Sequence, residues 1–449
     1  MGSSGALAGP AQRAAGATRR PSIVLFLTDD QRWDTLWAMP HVRHLLMRHG
    51  VSFKNAFVVD PLCCPSRAST LTGNYAHTTG VYTNNGFARF DDQYTIATAL
   101  HGAGYETGLF GKYLNGYDNT TYVPPGWSRW FAFEGHAESV GNYYNYAVVD
   151  DGRERPYGDA PSDYSTSVIT RKAVNFVRSS SGPLLVYWAP SAPHRPAVPA
   201  PQDVDAFRGL EPIRPPNYNE ANVADKPQWV RDLPPLTRWR AGQIDKLEKH
   251  QYQALLGIDR GVRDIVDALR DTGRLHHTVF VFTSDNGLAW GEHRWDNKLD
   301  AYEESIRVPL LIRYDPLTSR SRVDTHLALN IDLAPTLAQL AGVALPSTDG
   351  ASLVPVLRRN QRGWRTNFLI EDGAAEPHHF VPKYCAVRSY GYLYVGYENG
   401  EEELYALRRD PYELTNRVRS NGLRDVRSHF RERLRILCDP PPPGYVVQH

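Results

Sequence analysis

Four short apolar runs in this chain each stop abruptly at residues able to bind an ion or move a proton, and that repeated arrangement limits the folds open to it. Ser22-Ile-Val-Leu-Phe-Leu-Thr28 precedes Asp29 and Asp30, and Tyr105 to Phe110 precedes Gly111 and Lys112. Leu184-Leu-Val-Tyr-Trp188 runs toward His194, and Thr278-Val-Phe-Val-Phe-Thr283 precedes Asp285 and Asn286. The runs are mostly continuous in apolar residues and rich in β-branched and aromatic side chains. A strand with one face in water alternates, whereas a strand covered on both faces does not, so these read as strands of a mostly parallel sheet. Helical stretches fall between them, over Ile96 to Gly102, Tyr164 to Arg178 and Tyr252 to Leu269. The last carries Leu255, Ile258, Val262, Ile265, Val266 and Leu269 on one stripe. The expected fold class is α/β, with ligands gathered at the carboxyl ends of strands, where the polar residues fall.

Length and composition set the frame around that sheet. A chain of 449 residues suits one large α/β domain with an appendage, or two modest domains. From about residue 366 the pattern changes. Ala386-Val-Arg-Ser, Tyr392-Leu-Tyr-Val-Gly-Tyr and Glu403-Leu-Tyr read as short antiparallel strands with a hairpin turn at Glu398-Asn-Gly400, and a helix over about 421–437 follows. The expected division is a flexible tail at 1–20, a main domain at 21–365 and a small antiparallel α+β subdomain at 366–449. Residues 197–240, rich in Pro, Trp and Asn, read as an ordered loop over the site or as an exposed insertion. Lys+Arg 50 against Asp+Glu 49 leaves a net charge of +1, which argues against a nucleic-acid surface or a polybasic membrane anchor. No apolar run approaches the ~20 residues of a membrane span. Arg19-Arg20 is not followed by the apolar stretch an export signal needs, and localisation stays open, leaning to a secreted or other extracytoplasmic setting. Four cysteines exclude a disulfide-built scaffold.

The most specific segment is Cys63-Cys64-Pro65-Ser66-Arg67-Ala68-Ser69-Thr70-Leu71-Thr72-Gly73. Pro65 suits the first turn of a helix running to about Leu71, with Gly73 ending it. Cys63 then sits just ahead of a helix N-terminus, where free N–H groups and the dipole favour an anion. Arg67 can present its fork to a tetrahedral oxyanion there. Taken alone, the cysteine pair reads equally well as two buried small apolar residues.

Cys-x-Pro-Ser-Arg followed by Ala-Ser-x-Leu-Thr-Gly resembles the hallmark of the type I sulfatases, of the alkaline-phosphatase-like superfamily. The resemblance covers nearly all of 21–449. It takes in Asp29-Asp30-Gln31, Gly111-Lys112-Tyr-Leu-Asn115, Ala192-Pro-His194, Asp285-Asn286-Gly, Lys298 ahead of Arg307-Val-Pro309, and the closing Glu403-Leu-Tyr-Ala-Leu-Arg-Arg-Asp410-Pro. Pro-Leu-Cys-Cys and Gly-Lys-Tyr-Leu-Asn look closest to the N-acetylglucosamine-6-sulfatase branch. The resemblance implies an alkaline-phosphatase-like sandwich with a large central sheet flanked by helices. It also implies that Cys63, and not Cys64, is oxidised to formylglycine (3-oxoalanine) by a maturation enzyme.

The residues support such chemistry in their own right. Asp29, Asp30, Asp285 and Asn286 offer only oxygens at two strand ends, which suits Ca²⁺ or Mg²⁺ better than zinc. The resemblance implies Ca²⁺. Arg67, Lys112, Lys298 and His194 would add positive charge and proton donors around the same mouth, as a sulfate ester needs while charge builds on the sulfuryl oxygens and on the departing alkoxide. Lys298, in a polar loop, is assigned by the resemblance alone.

The implied activity is hydrolysis of a sulfate ester through a covalent sulfo-enzyme on the formylglycine. The implied substrate is a sulfated carbohydrate such as N-acetylglucosamine-6-sulfate in a glycosaminoglycan, or an aryl sulfate. Two other readings stay open: a phosphonate monoester or phosphodiester hydrolase of the same superfamily, and an inactive binding protein on the same fold. Many family members carry a His where this chain has Leu114; either Asn115 or another His covers that role, or the His is dispensable in this branch. His293 and His77 are further candidates to line the substrate cleft, as are the tyrosines of Tyr143-Tyr144-Asn145-Tyr146. His276-His277 and His378-His379 read as surface residues. Cys385 and Cys438 bracket the C-terminal part, either as a disulfide or as two reduced thiols.

Overall fold

The structure, a computed structural model, describes residues 20–135, 142–318, 320–373 and 380–446. Residues 1–19 of the expected tail and His378-His379 lie outside the described residues. The main sheet has ten strands: β1 (Ser22–Thr28), β2 (Val51–Phe57), β3 (Glu106–Gly111), β4 (Arg129–Glu134), β5 (Ala147–Asp150), β6 (Arg153–Pro156), β7 (Leu184–Ala189), β8 (Thr278–Ser284), β9 (Leu310–Arg313) and β10 (Arg322–Leu329). Their spatial order is β10-β2-β9-β8-β1-β7-β3-β4-β5-β6. β1 pairs in parallel with β7 and β8, β3 with β4 and β7, and β2 with β10. β9 and β5 are antiparallel to their neighbours. The α/β architecture with a large, mostly parallel sheet is therefore present.

The continuous apolar runs are explained by burial on both faces. Ile23, Leu25 and Leu27 of β1 enter one hydrophobic cluster and Val24 and Phe26 enter the other. On the first side the sheet is covered by the helices Cys63–Thr72, Ile96–Gly102 and Leu333–Ala341. On the second it is covered by Ser165–Ser179 and Arg238–Asp271. The helix expected to begin at Tyr252 begins at Arg238 and runs for 34 residues. Its first turns are rich in Arg, Lys and acidic side chains, with Ile244 the one fully buried aliphatic before Tyr252, so the stripe becomes legible only further on.

Parts of the 197–240 segment pack against the rest of the protein, while many of its residues are exposed. Asn219 donates its backbone N–H to the Gly291 carbonyl, His293 donates its own to the Asn217 carbonyl, and Trp229 and Val230 are buried. The segment thus braces the loop that leads to Lys298.

A second sheet of four antiparallel strands follows, in the order β11 (Asn367–Asp372), β12 (Tyr384–Ser389), β13 (Leu393–Tyr397) and β14 (Glu402–Tyr405). Gly400, at φ 82°, provides the left-handed residue of the β13–β14 turn. One face of this sheet packs on the main domain through Phe368, Ile370, Ala386 and Val395. The other lies under the helix Arg424–Leu437 through Leu369, Val387, Phe430 and Leu434. Cys385 and Cys438 are joined in a disulfide across that contact. No helix among the described residues is long and apolar enough to cross a membrane.

Candidate active site

The site forms where β1, β3, β7 and β8 end. β1 delivers Asp29 and Asp30, and Asp30 adopts φ 61°, in the left-handed region that non-glycine residues seldom occupy. That turn lets the Asp30 N–H donate to Asp285 Oδ1 at 3.1 Å, which locks the ends of β1 and β8 together. Gly111 closes β3 at φ 115°, and a Cβ there would lie 2.0 Å from the Ala189 carbonyl oxygen. Only glycine allows β3 to pass so close to β7, and the next residue, Lys112, donates its backbone N–H to the same carbonyl at 2.7 Å.

The cysteine motif opens a helix, Cys63–Thr72, whose end at Gly73 (φ 81°) falls where the sequence places it. Its start differs slightly. Cys63 is the first residue of the helix rather than the one before it, and Pro65 is third. The helix separates the two cysteines. Cys63 Sγ lies 3.5 Å from Asp29 Oδ1 and 2.7 Å from Lys298 Nζ. Cys64 Sγ points instead to the Asn115 carbonyl at 3.6 Å. Burial pushes the Cys63 thiol up, against the pull of Lys112 and Lys298.

Around Cys63 the charges interlock. Lys112 Nζ donates to Asp29 Oδ2 at 2.6 Å. Lys298 Nζ binds Asp30 Oδ1, and Asn286 Nδ2 reaches the same oxygen at 2.6 Å. Arg67 donates from Nε to Asp285 Oδ2 at 2.8 Å and from Nη1 to the Lys112 carbonyl at 3.0 Å, and its Nη2 stands 3.6 Å from Asp29 Oδ2. His194, on the segment after β7 and partly exposed, has Nδ1 2.7 Å from the Arg195 carbonyl and Nε2 3.6 Å from Asp30 Oδ2. The sequence-derived set Asp29, Asp30, Cys63, Arg67, Lys112, His194, Asp285, Asn286 and Lys298 is thus assembled at one place. Similarity to known proteins bears on what such an assembly is. The profile of the family described as Sulfatase matches residues 21–343, and that described as N-sulphoglucosamine sulphohydrolase, C-terminal, matches 291–439.

The chain belongs to the sulfatase family. The extracellular sulfatase SULF-1 homolog of Drosophila melanogaster is 36% identical over 374 residues, which cover 79% of this chain but only 33% of that protein. Human N-acetylglucosamine-6-sulfatase is 35% identical over 382 residues, covering 80% of this chain and 68% of the relative. A solved structure described as a complex with its substrate D-glucosamine-2-N,6-O-disulfate superposes with a TM-score of 0.85 at 25% identity, covering 94% of this chain and 99% of the other.

In this sulfatase the ligand atoms of Asp29, Asp30, Cys63 and His194 all lie within 4.8 Å of one another, a cluster able to hold a metal ion. Asn286 Oδ1 is buried with no hydrogen-bond donor among the described residues, which leaves an amide oxygen beside Asp30 for an oxygen-seeking cation. Asp285 stands differently: its two oxygens are engaged by the Asp30 N–H and by Arg67. Burial alone would raise both carboxyls of the Asp29–Asp30 pair, yet Lys112, His194, Arg67 and Lys298 hold Asp29 well below the ordinary carboxylate range, and Lys298 and His194 hold Asp30 below it. Burial and the Asp29 charge raise Asp285.

The remaining candidates lie elsewhere. His293 is 1% exposed, with Nδ1 2.6 Å from Glu220 Oε2, Nε2 3.2 Å from Asn217 Nδ2 and its ring against Tyr302. That puts it in the protein interior, in a separate cluster with Glu304 and Glu413, rather than on a wall of the cleft. His77, mostly buried, has Nδ1 3.0 Å from both Glu371 oxygens and stacks on Tyr75. Asn115 is buried beside Cys64. Tyr143 is buried in the core cluster, its hydroxyl donating to the His194 carbonyl at 2.8 Å, so it braces His194 from behind.

Two supports and one buried acid escaped the sequence reading. Asn330 accepts from the Val59 N–H and donates to the Ser66 carbonyl and hydroxyl, fixing the helix that carries Cys63 and Arg67. Arg32, stacked on Trp290, donates to Glu292 and to the Leu288 carbonyl, which ties the Asp30 turn to the 288–292 loop. Asp60, three residues before Cys63, is buried close to Asp372 and Glu371, and burial together with those charges raises it well above the carboxylate range. Only contacts between distant residues identify these; Asp60 alone had a local hint, its position past the end of β2.

Arg67 is fully buried between Asp285 and Asp29. Arg67→Ala leaves both carboxylates without that partner, so the protein is expected to lose about 3–5 kcal/mol in denaturant unfolding. A loss under about 1 kcal/mol would place Arg67 among surface-like pairs and overturn this account of the site.

Proposed function

We propose that this sulfatase hydrolyses the sulfate ester of a sulfated sugar, with 6-sulfated N-acetylglucosamine or glucosamine as the preferred class and aryl sulfates as artificial substrates. The observation that carries the reading is the meeting of Cys63, Arg67, Lys112 and Lys298 with Asp29 and Asp30 in one buried cluster, with the partly exposed His194 at its edge. The printed names of the human relative and of the solved complex support the sugar class. We assign the metal as Ca²⁺, held by Asp29, Asp30, Asn286 and, once its carboxylate is shared with Arg67, Asp285. When present, Ca²⁺ supplies charge neutralisation for the sulfuryl oxygens, and formylglycine, made from Cys63 by a maturation enzyme, supplies the nucleophile.

The chain's own residues do the rest. Arg67 is held rigid by Asp285 and by the Lys112 carbonyl, and its Nη2, 3.6 Å from Asp29 Oδ2, makes no close hydrogen bond among the described residues, so it can turn toward a sulfuryl oxygen. Lys112 lowers the Asp29 carboxyl and Lys298 that of Asp30, and together they set a positive wall around residue 63. His194 donates Nδ1–H to the Arg195 carbonyl, so the imidazolium form carries its second proton on Nε2, facing the cluster. That proton can pass to the sugar oxygen as the S–O bond breaks. The Cys385–Cys438 disulfide supports an oxidising, extracytoplasmic setting.

Chelation is expected to remove activity and Ca²⁺ to restore it; restoration by Zn²⁺ alone contradicts the metal assignment. Cys63→Ala should abolish turnover and leave the fold intact, whereas Cys64→Ala keeps substantial activity. Identical behaviour of the two variants would place the nucleophile elsewhere. The substrate class is tested by comparing kcat/KM for a sugar 6-sulfate, an aryl sulfate and an aryl phosphodiester. The phosphodiester should be the poorest; were it the best, the sulfatase reading would fall. A sugar alkoxide leaves poorly and a nitrophenolate leaves well, and general acid catalysis contributes ~10²–10⁴-fold. His194→Ala should therefore depress sugar-sulfate turnover strongly and spare the aryl sulfate. An unchanged ratio between the two substrates would remove His194 as the acid.

A further inference from the structure

The chain is close to neutral overall, but its charge is unevenly spread. Between Arg408 and Arg435 stand nine arginines and four acidic residues, an excess of five positive charges against +1 for the whole protein. Several of these arginines are engaged: Arg431 pairs with Glu402, Arg435 with Glu432, and Arg433 donates to Asn367 Oδ1. Arg408, Arg409 and Arg417 are different. All three are exposed, and none forms an ion pair among the described residues.

The same three arginines line one groove of about 1380 Å³, bounded by the β12–β13 turn, the 406–417 loop and the first turn of the helix Arg424–Leu437. Tyr390, 38% exposed, and Tyr392, partly exposed, add aromatic surface to it. Two acids also line the groove. The carboxylate of Asp410 accepts the backbone N–H groups of Leu414 and Thr415 at 3.0 and 2.8 Å and so serves the local turn, which leaves Asp425 as the opposing charge. No residue of the catalytic cluster lines this groove. Its volume exceeds the ~300–1,000 Å³ usual for a small-molecule pocket, which suits an extended ligand. Arginine forks meet sulfate groups through paired hydrogen bonds, and aromatic rings stack on the apolar faces of sugar rings.

We propose that this groove is a second, non-catalytic binding site that holds a sulfated glycan chain while the catalytic site works elsewhere on the polymer. The choice of a sulfated glycan over other polyanions rests on the sugar-sulfatase reading; the anion site itself does not. The test uses the full-length protein on immobilised heparin. The triple variant Arg408→Ala/Arg409→Ala/Arg417→Ala should elute at lower NaCl, with the slope of log K against log salt reduced by about one per arginine engaged. Its kcat/KM for a monosaccharide 6-sulfate and for an aryl sulfate should equal that of wild type, while KM for a sulfated polymer rises. The corresponding triple lysine variant, which keeps the charge but loses the fork, should fall between the two. Cys63→Ala should bind heparin as wild type does. Unchanged elution of the triple alanine variant overturns the proposal, as does a joint fall in thermal stability and small-substrate activity, which would make the arginines structural. Equal, arginine-dependent retention on immobilised polyglutamate overturns the glycan assignment. Arginine-dependent heparin binding in a wild-type protein that cleaves no sulfate ester would leave the anion site standing and remove the catalytic reading instead.

Discussion

The structure turns on the balance of three buried carboxylates against three buried cations at the ends of parallel strands. Asp29, Asp30 and Asp285 are each 2% exposed or less, and none would remain ionised in an apolar interior without a partner. Arg67, Lys112 and Lys298 come from a helix, a strand end and a loop that are far apart in sequence, so the balance can be struck only when the sheet is assembled. Folding and site formation are in this sense one event. The same arrangement keeps the cations desolvated, where each acts more strongly on a bound anion than it would at the surface.

The sheet was legible because its central strands are buried on both faces. β1 and β8 follow the apolar runs to within a residue, and the ligands sit where those runs break. The strands that escaped notice lack a long apolar run: β9 is buried throughout but only four residues long, and others are exposed or buried only in part. β6 is exposed throughout, and β10 begins exposed and ends buried, so neither gives a continuous apolar signal. The first half of the long helix escaped for a related reason: its charged turns face solvent, and its apolar stripe is sparse until Tyr252.

At the site, motif spacing located the residues but not their pairing. That Lys298 meets Cys63, and that Asp285 turns to Arg67 while Asn286 turns to Asp30, depends on loop geometry that no local pattern encodes. His293 shows the opposite failure. It stands close to Lys298 in sequence, but the 217–220 segment folds over it and draws it into the interior. The whole-chain charge likewise concealed a basic C-terminal stretch, because the acidic residues that offset it lie elsewhere.

The enclosure of residue 63 carries a consequence for biosynthesis. Cys63 is 1% exposed, opens a helix buried along its length, and is hemmed in by Asp29 and Lys298 from two other elements. Another enzyme cannot reach its sulfur once those elements have closed. Any catalyst that alters this side chain must therefore meet it as part of an unfolded or nascent segment, before β8 and the Lys298 loop, more than 200 residues downstream, have been packed against it. If residue 63 acts as the proposed formylglycine, the competence of the finished enzyme is set by a race between modification and folding, and a sequence change that merely sped closure of the main sheet would yield protein that is fully folded and chemically inert.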